Sequence, residues 1–174
     1  MAASARKRVL VVDDEADVRN FLRAALTEAG FEVVTASDGF DALAEIEKQI
    51  PDLISLDLVM PRKSGVKLYR DLVRNKAWSK IPIIIVTGHA RDDLGKADLK
   101  ELTMSGPGVY LEKPVRPDNY VAAVKGILGM ESSAQEQEIA RKVELQSQLK
   151  NLIDDADPEV LQKIKDMFRG KKLN

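Results

Sequence analysis

Five short apolar runs, each followed by a longer stretch of helical periodicity, constrain this chain more than any other feature. The first run is Val9–Val12, after which Val18, Phe21, Leu22, Ala25 and Leu26 recur on one helical face until Gly30 stops the helix. Residues Phe31–Ala36 read as a second strand, followed by a helix carrying Phe40, Leu43, Ile46 and Ile50. A third strand, Leu53–Leu56, ends at Asp57 and leads to a helix with Leu68, Tyr69, Leu72 and Val73. The fourth, Ile81–Val86, is apolar at successive positions, as a central parallel strand buried on both faces must be. A short fifth strand, Val109–Leu111, precedes a helix with Tyr120, Val121, Val124, Ile127 and Leu128. Between them, Thr87–Ser105 is polar and holds only the weak stripe Leu94, Leu99 and Leu102, from which we expect a helix over about 92–104. Strands alternating with helices in this way predict an α/β fold, a doubly wound five-stranded parallel sheet. Ligands on such sheets bind at the carboxyl ends of the strands.

That rim is where the chemistry lies. Asp13 and Asp14 follow the first strand and Asp57 the third, and two neighbouring parallel strands bring such carboxylates within about 5 Å. Like charges that close repel by roughly 3 kcal/mol per pair at an effective dielectric near 20. A proton or a cation must offset this. Oxygen donors with no Cys anywhere in the chain suit a hard ion, and Mg²⁺ commonly binds one or two carboxylates while keeping several waters. Thr87 closes the fourth strand and Lys113-Pro114 follows the fifth, adding a hydroxyl donor and an ammonium suited to a bound phosphoryl oxygen. Proline at 114 holds Lys113 extended. Taken one at a time, each has an ordinary explanation: a turn, a helix cap, a strand end, a surface lysine. Their joint pattern carries the argument.

Asp13-Asp14, Asp57 with Met60-Pro61 after it, Thr87, and Lys113-Pro114 match, in order and spacing, the receiver domain of bacterial response regulators, which residues 7–129 resemble. The resemblance implies a flavodoxin-like strand order 2-1-3-4-5 and a chemotaxis-receiver-like signalling domain. It implies that Asp57 accepts a phosphoryl group from the phosphohistidine of a sensor histidine kinase or phosphotransfer protein. It implies Mg²⁺ on Asp13, Asp14, Asp57 and the backbone carbonyl of Val59, with Thr87 and Lys113 on the phosphoryl oxygens. Thr87 and Tyr110 would be the switch pair, the aromatic turning inward as the threonine moves; a plain core aromatic is the other reading of Tyr110. Val59 and His89 fall where the family tunes dephosphorylation. An apolar Val59 orients no water; His89 would be able to, though its ordinary reading is a solvated loop histidine. The stretch from Thr87 to Lys113 is a few residues longer than is usual in the family and holds Gly106-Pro107-Gly108, so an unusual partner is expected at that surface.

The composition shifts after Gly129. Residues 131–174 hold 8 basic and 9 acidic side chains and no glycine before Gly170. Ser133 and Glu136 have the spacing of a capping box, and Asp157-Pro158 reads as a cap followed by proline at the first helical position, predicting helices over 134–154 and 158–169. We therefore divide the chain into a receiver at 1–130 and a two-helix C-terminal extension at 131–174. Val160, Leu161, Ile164, Met167 and Phe168 share one face of the last helix, whereas Ile139, Val143, Leu145, Leu149, Leu152 and Ile153 lie on a wider arc of its predecessor, interrupted by Lys142, Gln146 and Lys150. Such faces pack on something: the receiver itself, a second copy in a homodimer, or another protein. With no excess of positive charge and no helix-turn-helix pattern, the extension is read as contacting protein and not nucleic acid.

Nor is a membrane expected as partner. Val9–Val12 is far shorter than the roughly 7–15 apolar residues of a signal sequence, and no run approaches the roughly 20 of a membrane span, so a cytoplasmic location is expected. Two other functions fit the residues less well. A Mg²⁺-dependent phosphatase forming an aspartyl phosphate on other substrates would carry a second Asp two residues after the nucleophile, where this chain has Val59. A nucleotide- or flavin-binding protein would need a phosphate-cradling loop after the first strand, where this chain has Asp-Asp-Glu.

Overall fold

Residues 6–88, 109–130 and 132–169 are described by the computed structural model of the protein. Five strands, β1 (Arg8–Val12), β2 (Glu32–Ala36), β3 (Leu53–Leu56), β4 (Ile83–Thr87) and β5 (Val109–Glu112), form one parallel sheet in the order β2-β1-β3-β4-β5. Helices α1 (Ala16–Glu28), α2 (Gly39–Lys48), α3 (Gly65–Arg74) and α4 (Pro117–Ile127) connect or follow them. Two more, α5 (Ala134–Asp155) and α6 (Pro158–Arg169), end the described chain. The helix expected over 92–104 lies outside the described residues, as does His89. Among the described residues no helix is long and apolar enough to cross a membrane.

The apolar runs become strands because both of their faces are buried. Leu10, Val12, Ile54, Leu56, Ile83 and Ile85 face α2 and α3, meeting Ile46, Leu68 and Leu72. The alternate residues Val9, Val11, Leu53, Ile84 and Val86 face α1 and α4, meeting Leu22, Leu26, Tyr120 and Val124. This is the doubly wound arrangement expected from the sequence, with one correction to the helix faces. Phe21, Phe40, Ile50 and Val73, read as core positions, are exposed, and Ile50 lies beyond the end of α2. The buried stripes are narrower because small residues complete them, Ala42 on α2 and Ala123 on α4. Gly30 ends α1 at φ +93°, a left-handed conformation that glycine adopts without strain.

Helix α5 starts where the sequence places it. The Glu136 N–H donates to Ser133 Oγ at 3.2 Å, and the Ser133 N–H donates to Glu136 Oε2 at 2.8 Å, a reciprocal cap. Lys125 of α4 reaches the same Glu136 carboxylate at 2.6 Å. Lys125, with the Ser133 N–H, draws the Glu136 carboxyl down to about 2. Because this lies below the group's ordinary value of 4.5, its stabilising contribution is complete above that pH and is lost as the pH falls towards 2. Replacing Ser133 by alanine is expected to cost about 1 kcal/mol. Hydrogen exchange across the first turn of α5 measures it, and unchanged protection there would refute the cap.

Of the arc of apolar residues on α5, only Val143 is buried, in the cluster with Leu111, Tyr120 and Val124. Leu145, Leu149, Leu152 and Ile153 are exposed. The helix packs by a narrow seam along β5 and α4, and Gly126 of α4 admits Ala140 closely.

Candidate functional site

Strand register assembles the site. Val12 pairs with Leu56, so the next residues, Asp13 and Asp57, emerge side by side from adjacent strands, tied by the Asp57 N–H donating to the Val12 carbonyl at 2.9 Å. Thr87 pairs with Glu112, so Lys113 leaves β5 at the same rim, its N–H donating to the Thr87 carbonyl at 3.0 Å. The Lys113–Pro114 peptide is cis.

The five residues expected to meet do so. Asp13, Asp14 and Asp57 each offer a carboxylate oxygen within 4.8 Å of the others. The Lys113 ammonium lies 2.7 Å from Asp13, 3.3 Å from Asp57 and 3.2 Å from Glu15. Asp13 and Asp57 are only 1 % and 4 % exposed, whereas Asp14 faces solvent. The site is thus sealed from below and open at one lip. The Thr87 hydroxyl is buried without a hydrogen bond of regular geometry, yet close enough to Asp57 to help hold its carboxyl charged. Val59 contributes its N–H, which donates to Asp57 Oδ1 at 3.2 Å.

Burial decides the electrostatics. It pushes the Asp57 carboxyl above its ordinary value, and Lys113, the Val59 N–H and Thr87 only partly counter this. Asp13 is raised for the same reason, against the hydrogen bonds of Lys113 and the Glu15 N–H. Burial alone would lower Lys113, but its bond to Asp13 and the charge of Asp57 outweigh it, and the ammonium is held well above the ordinary lysine range. Among the described residues, one ammonium therefore serves two buried carboxylates and the exposed Glu15. Three oxygen donors in excess of positive charge, with an unsatisfied buried hydroxyl beside them, fit a small hard divalent ion such as Mg²⁺.

Several supporting residues were not singled out in the sequence. The Arg19 guanidinium on α1 donates to the carbonyls of Asp13 at 2.7 Å and Asp14 at 2.9 Å, fixing the turn that carries both acids. Buried Asp38 caps α2 by accepting from the N–H groups of Phe40 and Asp41 and also pairs with Arg62, which tethers the loop after Asp57. Gly65 opens α3 directly against that loop; a Cβ there would lie 1.9 Å from the Asp57 carbonyl oxygen. A glycine at the first position of a helix, eight residues past the central aspartate, was the available signal.

Residues 9–125 match the response regulator receiver domain, a family that binds Mg²⁺ at an acidic pocket. The phosphate regulon transcriptional regulatory protein PhoB of Pseudomonas aeruginosa is 38 % identical over 122 residues, covering 70 % of this chain and 52 % of that protein. The alkaline phosphatase synthesis transcriptional regulatory protein PhoP of Bacillus subtilis is 38 % identical over 123 residues, covering 70 % of this chain and 48 % of that one. This chain thus spans about half the length of these curated relatives. Among solved structures, a putative response regulator from Chloroflexus aurantiacus superposes with a TM-score of 0.63 at 30 % identity, over 71 % of this chain and 98 % of that one. The Vibrio cholerae chemotaxis protein CheY4 does so with a TM-score of 0.62 at 28 % identity, over 71 % and 99 %.

Proposed function

Because the chain belongs to the response regulator receiver family, we propose that it is a two-component response regulator that accepts a phosphoryl group on Asp57 from a sensor histidine kinase or phosphotransfer protein. The observation that carries this reading is the single ammonium of Lys113 bridging Asp13 and Asp57 inside a cluster of three converging carboxylates. Asp13, Asp14, Asp57 and the backbone carbonyl of Val59 would hold Mg²⁺. When bound, Mg²⁺ supplies positive charge that neutralises the phosphoryl oxygens.

The chain's own residues do the rest. Asp57 is buried below the lip marked by Asp14, and its carboxylate oxygen attacks phosphorus as the phosphorus–nitrogen bond of the donor phosphohistidine breaks. The electron pair of that bond leaves on the imidazole, which takes a proton, and an acyl phosphate remains on Asp57. Lys113 moves from its carboxylate contacts onto a phosphoryl oxygen. Thr87, whose hydroxyl has no other regular partner among the described residues, donates to a second. Thr87 and Tyr110 then form the switch pair. Val59, half-exposed and apolar, orients no water towards the phosphorus, and with His89 it sets the dephosphorylation rate.

The rest of the proposal concerns output. Residues 1–130 act as the receiver and 131–174 as a protein-contacting extension, whose exposed Leu145, Leu149 and Leu152 offer a face to a downstream protein or a second copy of the chain. A cytoplasmic location accompanies this reading.

The test is intact-mass measurement after acetyl phosphate treatment with Mg²⁺. Wild type is expected to gain one phosphoryl group and Asp57→Asn none. Equal labelling of the two proteins would place the acceptor elsewhere.

A further inference from the structure

Tyr120 brings a hydroxyl into the apolar layer between the sheet and α4, where it is fully buried in the cluster that holds Val9, Val11, Val86 and Val124. A buried hydroxyl is unfavourable unless it meets a partner, so its neighbours decide what it can do. Alternation along the strands identifies them. Val9 and Val11 face α1 and α4, and Asp13 continues that line; on β3 Leu53 and Ser55 do the same, and Asp57 continues theirs. Val11 pairs with Ser55 in register, so the layer directly beneath the two buried acids holds one valine and one buried serine. Tyr120 enters this layer from the helix side, with its phenol against Ser55 and within the field of the Asp13 carboxylate.

Two atoms here lack a hydrogen bond of regular geometry, and they are complementary. One is the Tyr120 hydroxyl, a donor sealed from solvent. The other is Asp13 Oδ2, an acceptor buried 2.7 Å from the Lys113 ammonium. Oδ1 of the same carboxylate accepts from the Glu15 N–H at 2.9 Å, so Asp13 is fixed at one oxygen and open to a donor at the other. Lys113 divides its charge among Asp13, Asp57 and Glu15 and gives Asp13 no direction of its own. A phenolic proton rotates to the acceptor that needs it. Burial and the charge of Asp13 hold the phenol well above its ordinary value, so it remains a donor at neutral pH.

We infer that Tyr120, seated against Ser55, is a positioning residue of the acidic site, its hydroxyl turned to Asp13 Oδ2 so that the carboxylate stays charged and directed for a divalent cation. This rests on reading Asp13, Asp14 and Asp57 as a Mg²⁺ site. Arg19 and the Glu15 N–H hold the same turn from the outside, and Tyr120 holds it from below. Groups that orient the ligands of a cation change its affinity without touching it.

The experiment is isothermal titration of the full chain with MgCl2, alongside urea unfolding. Tyr120→Phe keeps the ring and removes the hydroxyl; it is expected to weaken Mg²⁺ binding about tenfold while leaving the unfolding midpoint at or above that of wild type. Ser55→Ala removes the seat of the phenol and is expected to weaken binding in the same direction by a smaller factor. Val124→Ala thins the same face of α4 one turn on; it should lower the midpoint and leave the Mg²⁺ affinity unchanged. Wild-type affinity in a folded Tyr120→Phe or in Ser55→Ala, or equal weakening by Val124→Ala, overturns the inference and leaves the metal site standing. A wild-type protein that binds no Mg²⁺, or an Asp13→Asn protein that binds it equally well, overturns the metal reading and the inference together.

Discussion

Gly65→Ala is expected to destabilise the protein by about 3 kcal/mol or more and to slow phosphorylation of Asp57 about a hundredfold. The reason is space and not conformation. A Cβ at 65 would lie 1.9 Å from the Asp57 carbonyl oxygen, 2.7 Å from Leu58 Cα and 2.8 Å from the Asp57 carbonyl carbon. All three are backbone atoms, so no side chain can rotate away to make room. The Gly65 N–H also donates to the Leu58 carbonyl at 3.1 Å, so the helix start and the loop are held together. The loop cannot retreat freely at its other end, because Arg62 is paired with Asp38 and the Gly39 N–H donates to the Lys63 carbonyl. Any relief therefore moves Asp57 itself. Gly126→Ala is the control: its added Cβ meets only Ala140 Cβ at 3.4 Å, and the change in stability should stay within about 1 kcal/mol. Urea unfolding of both variants measures the difference, and equal midpoints would refute the close approach at Gly65.

The contrast between these two glycines shows what a single sequence can carry. Alternating apolar runs identify the sheet because a strand buried on both faces has few other solutions, and Leu53–Leu56 begins and ends where the pattern places it. The site was legible for a related reason. Asp13, Asp57, Thr87 and Lys113 each sit at the carboxyl end of a run, and parallel pairing converts that shared position into proximity. Side-chain burial on helices was less legible. Phe21 and Phe40 fit a helical stripe by hydrophobicity, but both are exposed, and on α2 Ala42 occupies the buried line instead. Contacts made across long chain separations were the least legible. Gly65 offered only its place at a helix start eight residues past Asp57, and nothing marks Ser147, whose hydroxyl accepts from the Tyr110 N–H, as other than a surface residue until the edge of β5 is in place. Lys150, read as an interruption of an apolar arc, turns out to face the receiver because its partner Glu112 lies 38 residues away in the chain.

Lys113→Met is the second change expected to have a large effect, and its size depends on pH. The methionine keeps the length and volume of the stem while removing the charge that Asp13 and Asp57 share. Both carboxyls are already raised by burial, with Lys113 opposing the rise, so its loss raises them further. A carboxyl whose folded value lies above its unfolded value binds more protons when folded. Its ionised form therefore costs stability above the folded value, and stability returns as the pH falls from there towards the ordinary carboxylate range near 4. At neutral pH the variant is left with two buried anions and no cation, and breaking a buried pair in this way costs on the order of 3 kcal/mol. Wild type and variant should thus differ most at pH 7.5 in the presence of a chelator and converge towards pH 5. Mg²⁺ should narrow the gap at pH 7.5 by replacing the missing charge. It should not restore phosphoryl transfer, which is expected to stay at least a hundredfold slow, because the donor proposed to meet the phosphoryl oxygen is gone. Urea unfolding at the two pH values, with and without Mg²⁺, is the measurement. A variant as stable as wild type at pH 7.5 without the metal would mean that the carboxylates do not depend on Lys113, and the electrostatic account of the site would fall with it.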